Sequence, residues 1–221
     1  MGCLQNHLLK PKQIELLKTK SEKKFALLIA NWKEEEILER MVQGNLERIL
    51  YSNFQIILGV YPNDRPTWEA AERIQSKFSQ VRVIVNDRPG PTSKGQLLNF
   101  MVRSLLNRKD PLKSSYDAFL LHDSEDLIHP LSLRLLNLEL ERADFLQIPV
   151  FSLKTPFFQL TAGTYADEFA EAHTKIMLVR EILGAAIPSA GVGTAISRRL
   201  MQATLKENQG DFLNEHTLTE D

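Results

Sequence analysis

Two short acidic stretches carry the residue types with the most chemistry to offer. Asp123-Ser124-Glu125-Asp126 follows the apolar run Ala118–Leu121, and Leu218-Thr219-Glu220-Asp221 stands at the other end of the chain. Like charges crowded on one strand end repel, by about 4 kcal/mol for a close pair at an effective dielectric near 20. Something cationic must compensate, and a hard divalent ion with oxygen ligands does so. On an extended loop alternate residues point the same way, so Asp123 and Glu125 are the better metal pair. Such an ion suits a phosphorylated substrate, and the distant Asp221 suits a general base. The plainer alternative for the cluster is an exposed acidic turn ahead of a helix at Pro130.

Other polar residues are less specific. His122 and His129 flank the cluster but lack a Cys or His at metal-ligand spacing, which makes them packing or surface histidines. Lys94 opens a helix after Pro89-Gly90-Pro91-Thr92-Ser93, where an ammonium beside free backbone N–H groups suits a phosphate. A solvated first-turn lysine is the alternative, and the glycine spacing of a Walker A loop is missing. Gly191-Val192-Gly193 is no dinucleotide fingerprint, because Ile196 stands where its third glycine belongs.

The elements that must position these groups are legible as apolar runs. Phe25–Ala30, Phe54–Val60, Val81–Val85, Ala118–Leu121 and Phe145–Val150 read as buried strands. Glu34–Leu50, Pro66–Phe78, Lys94–Leu106 and Pro130–Arg142 read as helices between them, with proline tolerated in a first turn. This alternation predicts an α/β fold with a mostly parallel sheet in three layers. Ligands of such sheets lie beyond the carboxyl ends of the strands, where Asn31–Glu35, Tyr61–Asp64, Asn86–Ser93 and His122–Asp126 converge. Past Phe151, Tyr165, Phe169, Ala172, Ile176, Val179 and Leu183 mark a long amphipathic helix expected to pack over the sheet. The glycine- and alanine-rich Ala185–Ile196 is expected to bring backbone close to a ligand or another element.

Composition narrows the class. With 221 residues, 43% hydrophobic and 25% charged, the chain can bury one large core, giving one domain over 25–221 after a lysine-rich linker or surface helix over 1–24. Lys plus Arg (27) nearly cancels Asp plus Glu (28), so bulk charge offers no support for nucleic-acid binding. The single cysteine, Cys3, excludes an internal disulfide and fits a reducing compartment. No apolar run is long enough to span a bilayer. Asn6 breaks the myristoylation pattern that Met1-Gly2-Cys3 would open.

Taken in order, these stretches resemble the family 2 glycosyltransferases of the processive type, most closely the glycosyltransferase domain of the bacteriophage N4 adsorption protein B group. Ala30-Asn31-Trp32-Lys33-Glu34-Glu35 is similar to the family's first-strand loop, Pro-Ala-Trp-Asn-Glu-Glu, and Tyr61-Pro62-Asn63-Asp64 to the second-strand end, where an aspartate meets the nucleotide base. Gly90-Pro91-Thr92-Ser93-Lys94 with Leu98-Asn99 resembles the third-strand segment. Asp123-Ser124-Glu125 falls on the Asp-x-Asp metal motif, with glutamate as the second ligand. Tyr165–Glu171 and Pro188–Thr194, with Ser197-Arg198-Arg199, resemble the stretch leading to the loop beneath acceptor and diphosphate. Thr219-Glu220-Asp221 matches the Thr-Glu-Asp motif, whose aspartate is the catalytic base.

The resemblance implies a GT-A fold, C-terminally truncated because the family's downstream Gln-x-x-Arg-Trp segment and membrane-proximal helices do not follow. It implies an inverting transfer from a nucleotide-diphospho-sugar, a UDP-sugar, to a carbohydrate or lipid-linked acceptor. Glu34, Asp64, Lys94 and Arg198 would hold the donor, Asp123 and Glu125 would hold Mg²⁺ or Mn²⁺, and Asp221 would be the base. The location implied is cytoplasmic, at the inner face of the inner membrane for a longer protein that reaches the membrane through other segments. Two rivals stay open: a binding module or scaffold without turnover, and a nucleotidyltransferase, which would carry a glycine- and arginine-rich first loop where Asn31–Glu36 is acidic.

Overall fold

Phe25–Ala30 (β1) is apolar throughout and buried on both sides, as a central parallel strand must be. Its alternate residues enter two cores: Phe25, Leu27 and Ile29 face one, Ala26 and Leu28 the other. The structure, a computed structural model, describes residues 15, 17, 20–107, 115–152 and 167–215. Within them the strands Phe54–Val60 (β2), Val81–Val85 (β3), Ala118–His122 (β4), Phe145–Gln147 (β5) and Thr194–Ser197 (β6) join β1 in a sheet of order β3-β2-β1-β4-β6-β5. The pairs β1/β2, β1/β4 and β2/β3 are parallel, while β6 runs antiparallel to both β4 and β5.

Helices cover both faces. Leu38–Arg48 (α1), Arg65–Lys77 (α2) and Ser132–Glu139 (α4) give Leu38, Val42, Ile74, Leu133 and Leu136 to the first core. Lys94–Leu106 (α3) and Arg198–Glu207 (α6) give Leu98, Met101, Val102 and Met201 to the second. Each such fully buried side chain contributes about 1.5–3 kcal/mol. Gly59 lets α3 lie close on β2, because a Cβ there would run into Met101 Sδ and Leu97.

Three expectations change. The segment Thr194–Ser197 is a strand, inserted between β4 and β5, so β5 does not pair with β4 and ends at Gln147. The amphipathic helix is described as a helical turn over 167–171, a π-turn Ala172–Ile176 and Met177–Ile182 (α5). Its apolar face does not pack over the sheet: Ile176, Val179 and Ile182 are about half exposed and Leu183 is 74% exposed. Amphipathicity specifies a face without supplying its partner; on this one Phe169 and His173 turn together, with ring centroids 4.5 Å apart. Finally, residues 20–24 are stitched to the domain. Glu22 Oε2 accepts from Ser52 N–H at 2.9 Å, Ser52 Oγ–H at 2.6 Å and Asn53 N–H at 2.9 Å, and Glu22 pairs with Arg134 at 3.2 Å.

Candidate active site

The four loops after β1, β2, β3 and β4 meet in a cleft of about 330 Å³. One end of it is aromatic. Trp32 and Tyr61 each follow a strand, β1 and β2, and meet edge to face at 5.3 Å. Tyr61 Oη shares a hydrogen bond of 2.7 Å with Thr92 Oγ1, which donates to Gln96 Oε1 at 2.8 Å. Asn63 clamps the β3 loop, donating to Gly90 O and accepting from Gly90 N–H, both at 2.6 Å. Gly90 lies directly on the aromatic pair: a Cβ there would stand 2.7 Å from both Trp32 and Tyr61.

The charged end is built by β4 and the start of α3. Ser93 caps α3, its Oγ accepting from Gln96 N–H at 3.2 Å, so Lys94 sits in the first helical turn. Its ammonium lies 2.5 Å from Asp123 Oδ1, supplying a positive partner for the acidic cluster. The cluster is a β-turn and not the extended loop expected, closed by Asp126 N–H to Asp123 O at 3.2 Å. Ser124 turns in, 6% exposed, while Asp123 and Glu125 both line the cleft.

Asp126 holds this turn. Its Oδ2 accepts from Asp123 N–H at 2.9 Å and pairs with His122 Nδ1 at 2.8 Å. Burial pushes the Asp126 carboxyl up, but His122, the Asp123 N–H and Lys94 together outweigh it and keep its pKa below the ordinary carboxylate value. His122 therefore packs at the end of β4 as expected, 6% exposed, yet its Nε2 has no partner among the described residues.

A second cavity of about 670 Å³ opens on the other side of the same turn. His122, Asp123, Glu125, His129, Phe151 and Phe169 are among its walls, with Ala190 and Val192 from the glycine-rich segment. Gly193, at φ 67°, donates its N–H to Leu121 O at 2.8 Å, so this segment does bring backbone against another element. Asp123 and Glu125 line both cavities.

Of the residues expected at the site, Glu34, Lys94, Asp123 and Glu125 share the first cleft. Asp64 stands behind it, 5% exposed, with Oδ2 accepting from Lys33 N–H at 2.6 Å. There it braces the first loop, whose Lys33 adopts φ 60°. Arg198 is not brought to the cleft. Because β6 runs antiparallel to β4, the residue after β6 lies at the amino end of β4, where Arg198 donates to Tyr116 O at 3.2 Å and Ser115 Oγ at 3.3 Å. Asp221 and Tyr165 lie outside the described residues. Asn31, Trp32, Tyr61 and Thr92, expected only as members of the loops converging beyond the strand ends, also line the first cleft.

Residues 23–221 match the family described as Glycosyltransferase like family 2. The chain belongs to this family. It is 38% identical over 200 residues to bacteriophage adsorption protein B of Escherichia coli strain K12 and equally to bacteriophage N4 adsorption protein B of Escherichia coli O157:H7. These alignments cover 90% of the chain and 27% of each relative, so the chain spans about a quarter of the curated relatives it matches. Among solved structures, the mannosyltransferase PcManGT of Pyrobaculum calidifontis superposes with a TM-score of 0.60 at 12% identity, covering 95% of the chain and 55% of that protein. Staphylococcus aureus TarS 1-349 superposes with a TM-score of 0.56 at 13% identity, covering 89% and 52%. The fold of this glycosyltransferase family 2 chain is thus the three-layer α/β/α GT-A arrangement expected. No described helix is long and apolar enough to cross a membrane.

Proposed function

We propose that the chain transfers a sugar from a nucleotide-diphospho-sugar, a UDP-sugar, to an acceptor hydroxyl with inversion. The observation that carries this is the position of Asp123 and Glu125 in the lining of two cavities, one of about 330 Å³ with an aromatic end and one of about 670 Å³. PcManGT is described in complex with GDP-Man and Mn²⁺, and TarS with UDP-GlcNAc, which supports the same donor class here.

Among the described residues no three His, Cys, Asp or Glu side chains form a metal cluster. Two carboxylates completed by substrate phosphate oxygens fit Mg²⁺ or Mn²⁺ without a third protein carboxylate, and Asp126 is already engaged by His122. When bound at Asp123 and Glu125, the ion supplies Lewis-acid stabilisation of charge on the departing diphosphate. Lys94, now paired with Asp123, turns to that same charge, aided by the amino end of α3. Trp32 and Tyr61 flank the nucleoside, and Glu34 and Asp64 shape the loop that carries Trp32.

Asp221 takes the acceptor hydroxyl proton as the oxygen bonds to the anomeric carbon from the opposite face, and the diphosphate leaves with the electron pair of the broken bond. One base suffices because the leaving diphosphate needs no protonation. Glu215 is docked at the start of α3, its O accepting from Ser93 Oγ–H at 2.8 Å.

Calorimetry with UDP and Mn²⁺, followed by a donor-hydrolysis assay, tests the reading. Asp221→Asn is expected to lower turnover by about 10²-fold or more with donor binding unchanged. Near-normal turnover in that variant removes the base, and absence of metal-dependent UDP binding removes the whole proposal. Binding without turnover in the unaltered protein would leave a nucleotide-sugar-binding module.

A further inference from the structure

Lys94 stands where a helix resists a cation. It is the first residue of α3, whose first turn holds no acidic side chain, and the amino end of a helix already carries partial positive charge. The offset comes from the turn after β4, where Asp123 Oδ1 lies 2.5 Å from the Lys94 ammonium. The neighbouring carboxylate is committed elsewhere: Asp126 Oδ2 is taken by His122 Nδ1 at 2.8 Å and by the Asp123 N–H at 2.9 Å.

Both members of the pair are within reach of a ligand. The Lys94 side chain is 26% exposed and that of Asp123 40%, and both line the first cleft. An ion pair open to water in this way is weak and readily exchanged. Asp123 is also one of the two carboxylates that fit a divalent ion, so it has two claimants of the same sign. A doubly charged ion at Asp123 and an ammonium held on the same carboxylate repel each other. A diphosphate resolves the conflict, because its oxygens accept from the Lys94 ammonium and the amino end of α3 favours the same anion.

We propose that Lys94 is a built-in counter-ion that competes with the divalent ion for Asp123 and is withdrawn by the diphosphate of the nucleotide, so that ion binding is conditional on the nucleotide. This regulation rests on the nucleotide-sugar reading and deepens it from a list of ligands to an order among them. Coupling between two ligands is reciprocal, so through Lys94 ion and nucleotide each tighten the binding of the other. The carboxylates are thereby kept from an ion that arrives without a donor.

The test is titration of Mn²⁺, followed by the electron paramagnetic resonance of the unbound ion, into the unaltered 221-residue chain, Lys94→Met and Lys94→Arg. Each is measured with and without saturating UDP, after subtraction of the Mn²⁺ that UDP holds in a protein-free blank, and each is checked for folding by circular dichroism. Lys94→Met keeps an unbranched side chain and loses the charge. Without UDP it is expected to bind Mn²⁺ about 10-fold more tightly than the unaltered chain. With UDP the two are expected to agree within about 3-fold, because Lys94 has by then left Asp123. Lys94→Arg keeps the charge and is expected to follow the unaltered chain. The role of Lys94 is overturned if Lys94→Met binds Mn²⁺ no more tightly without UDP, if it gains equally with and without UDP, or if Lys94→Arg gains as much. Any of these leaves the nucleotide-sugar reading standing, which falls separately if UDP binding to the unaltered chain does not depend on Mn²⁺.

Discussion

Replacing Asp64 with alanine is expected to release the first loop, with measurable effects on both stability and binding. Asp64 is 5% exposed, and its Oδ2 takes the Lys33 N–H at 2.6 Å. Lys33 stands at φ 60°, a left-handed conformation costing a side-chain-bearing residue about 1–2 kcal/mol. A hydrogen bond to a charged group contributes about 1.5–3 kcal/mol, so Asp64→Ala should cost about 2 kcal/mol. For a domain of this size that lowers Tm by roughly 4–8 °C. Freed of its brace, Lys33 relaxes, Trp32 leaves its edge contact with Tyr61, and UDP affinity falls. Asp64→Asn keeps an oxygen for the Lys33 N–H and should lose less than about 1 kcal/mol with UDP affinity nearly intact. Lys33→Gly, which suits the left-handed conformation, should raise stability by about 1 kcal/mol and soften the effect of Asp64→Ala. Scanning calorimetry and UDP titration on the unaltered protein, the three single variants and the Lys33→Gly/Asp64→Ala double variant decide the matter. If Asp64→Asn abolishes UDP binding while Asp64→Ala leaves Tm unchanged, the carboxylate serves the ligand and not the loop, and the bracing role is wrong.

Two further outcomes follow from the geometry. Asp126 has a folded pKa below its ordinary value of 3.8, so its contribution to stability is present above that value and lost as pH falls through the folded pKa. Thermal unfolding between pH 6 and 3 should show a steeper loss below about pH 4 in the unaltered protein than in Asp126→Asn, and parallel curves would contradict this. Gly193→Ala should cost about 2–3 kcal/mol in denaturant unfolding, because φ is 67° and the new Cβ would stand 2.8 Å from Ile148 Cγ1 and 3.0 Å from Val150 Cγ2. A loss within about 0.5 kcal/mol would show that this segment yields easily.

The parallel half of the sheet was readable because β1, β2 and β4 are buried on both faces and so are written as unbroken apolar runs. Helix α3 was legible with its bounds, Lys94–Leu106, following the proline-containing loop, and the structure adds Ser93 as its cap. Thr194–Ser197 was invisible because a four-residue strand after glycines is defined by its partners β4 and β5, which are distant in sequence. Its direction also carried Arg198 to the far end of the sheet, something no local pattern encodes. Charge crowding singled out Asp123 and Glu125, and a turn, not an extended loop, brings them to the cleft. Asn31 was placed at the strand ends by pattern alone, but the bonds of its Nδ2 to Ile29 O and Gly59 O are a matter of three-dimensional pairing.

Glu22 ties the segment ahead of β1 to the sheet-bearing unit. A fragment begun at Phe25, where the first strand starts, would forfeit the carboxylate that gathers Ser52 and Asn53 and anchors Arg134. It would also strip Tyr51 Oη of its acceptor, the Lys23 carbonyl, 2.7 Å away. Anyone trimming the chain for crystals or for fusion to another protein should cut upstream of Lys20, whose ammonium meets Glu141 at 2.9 Å.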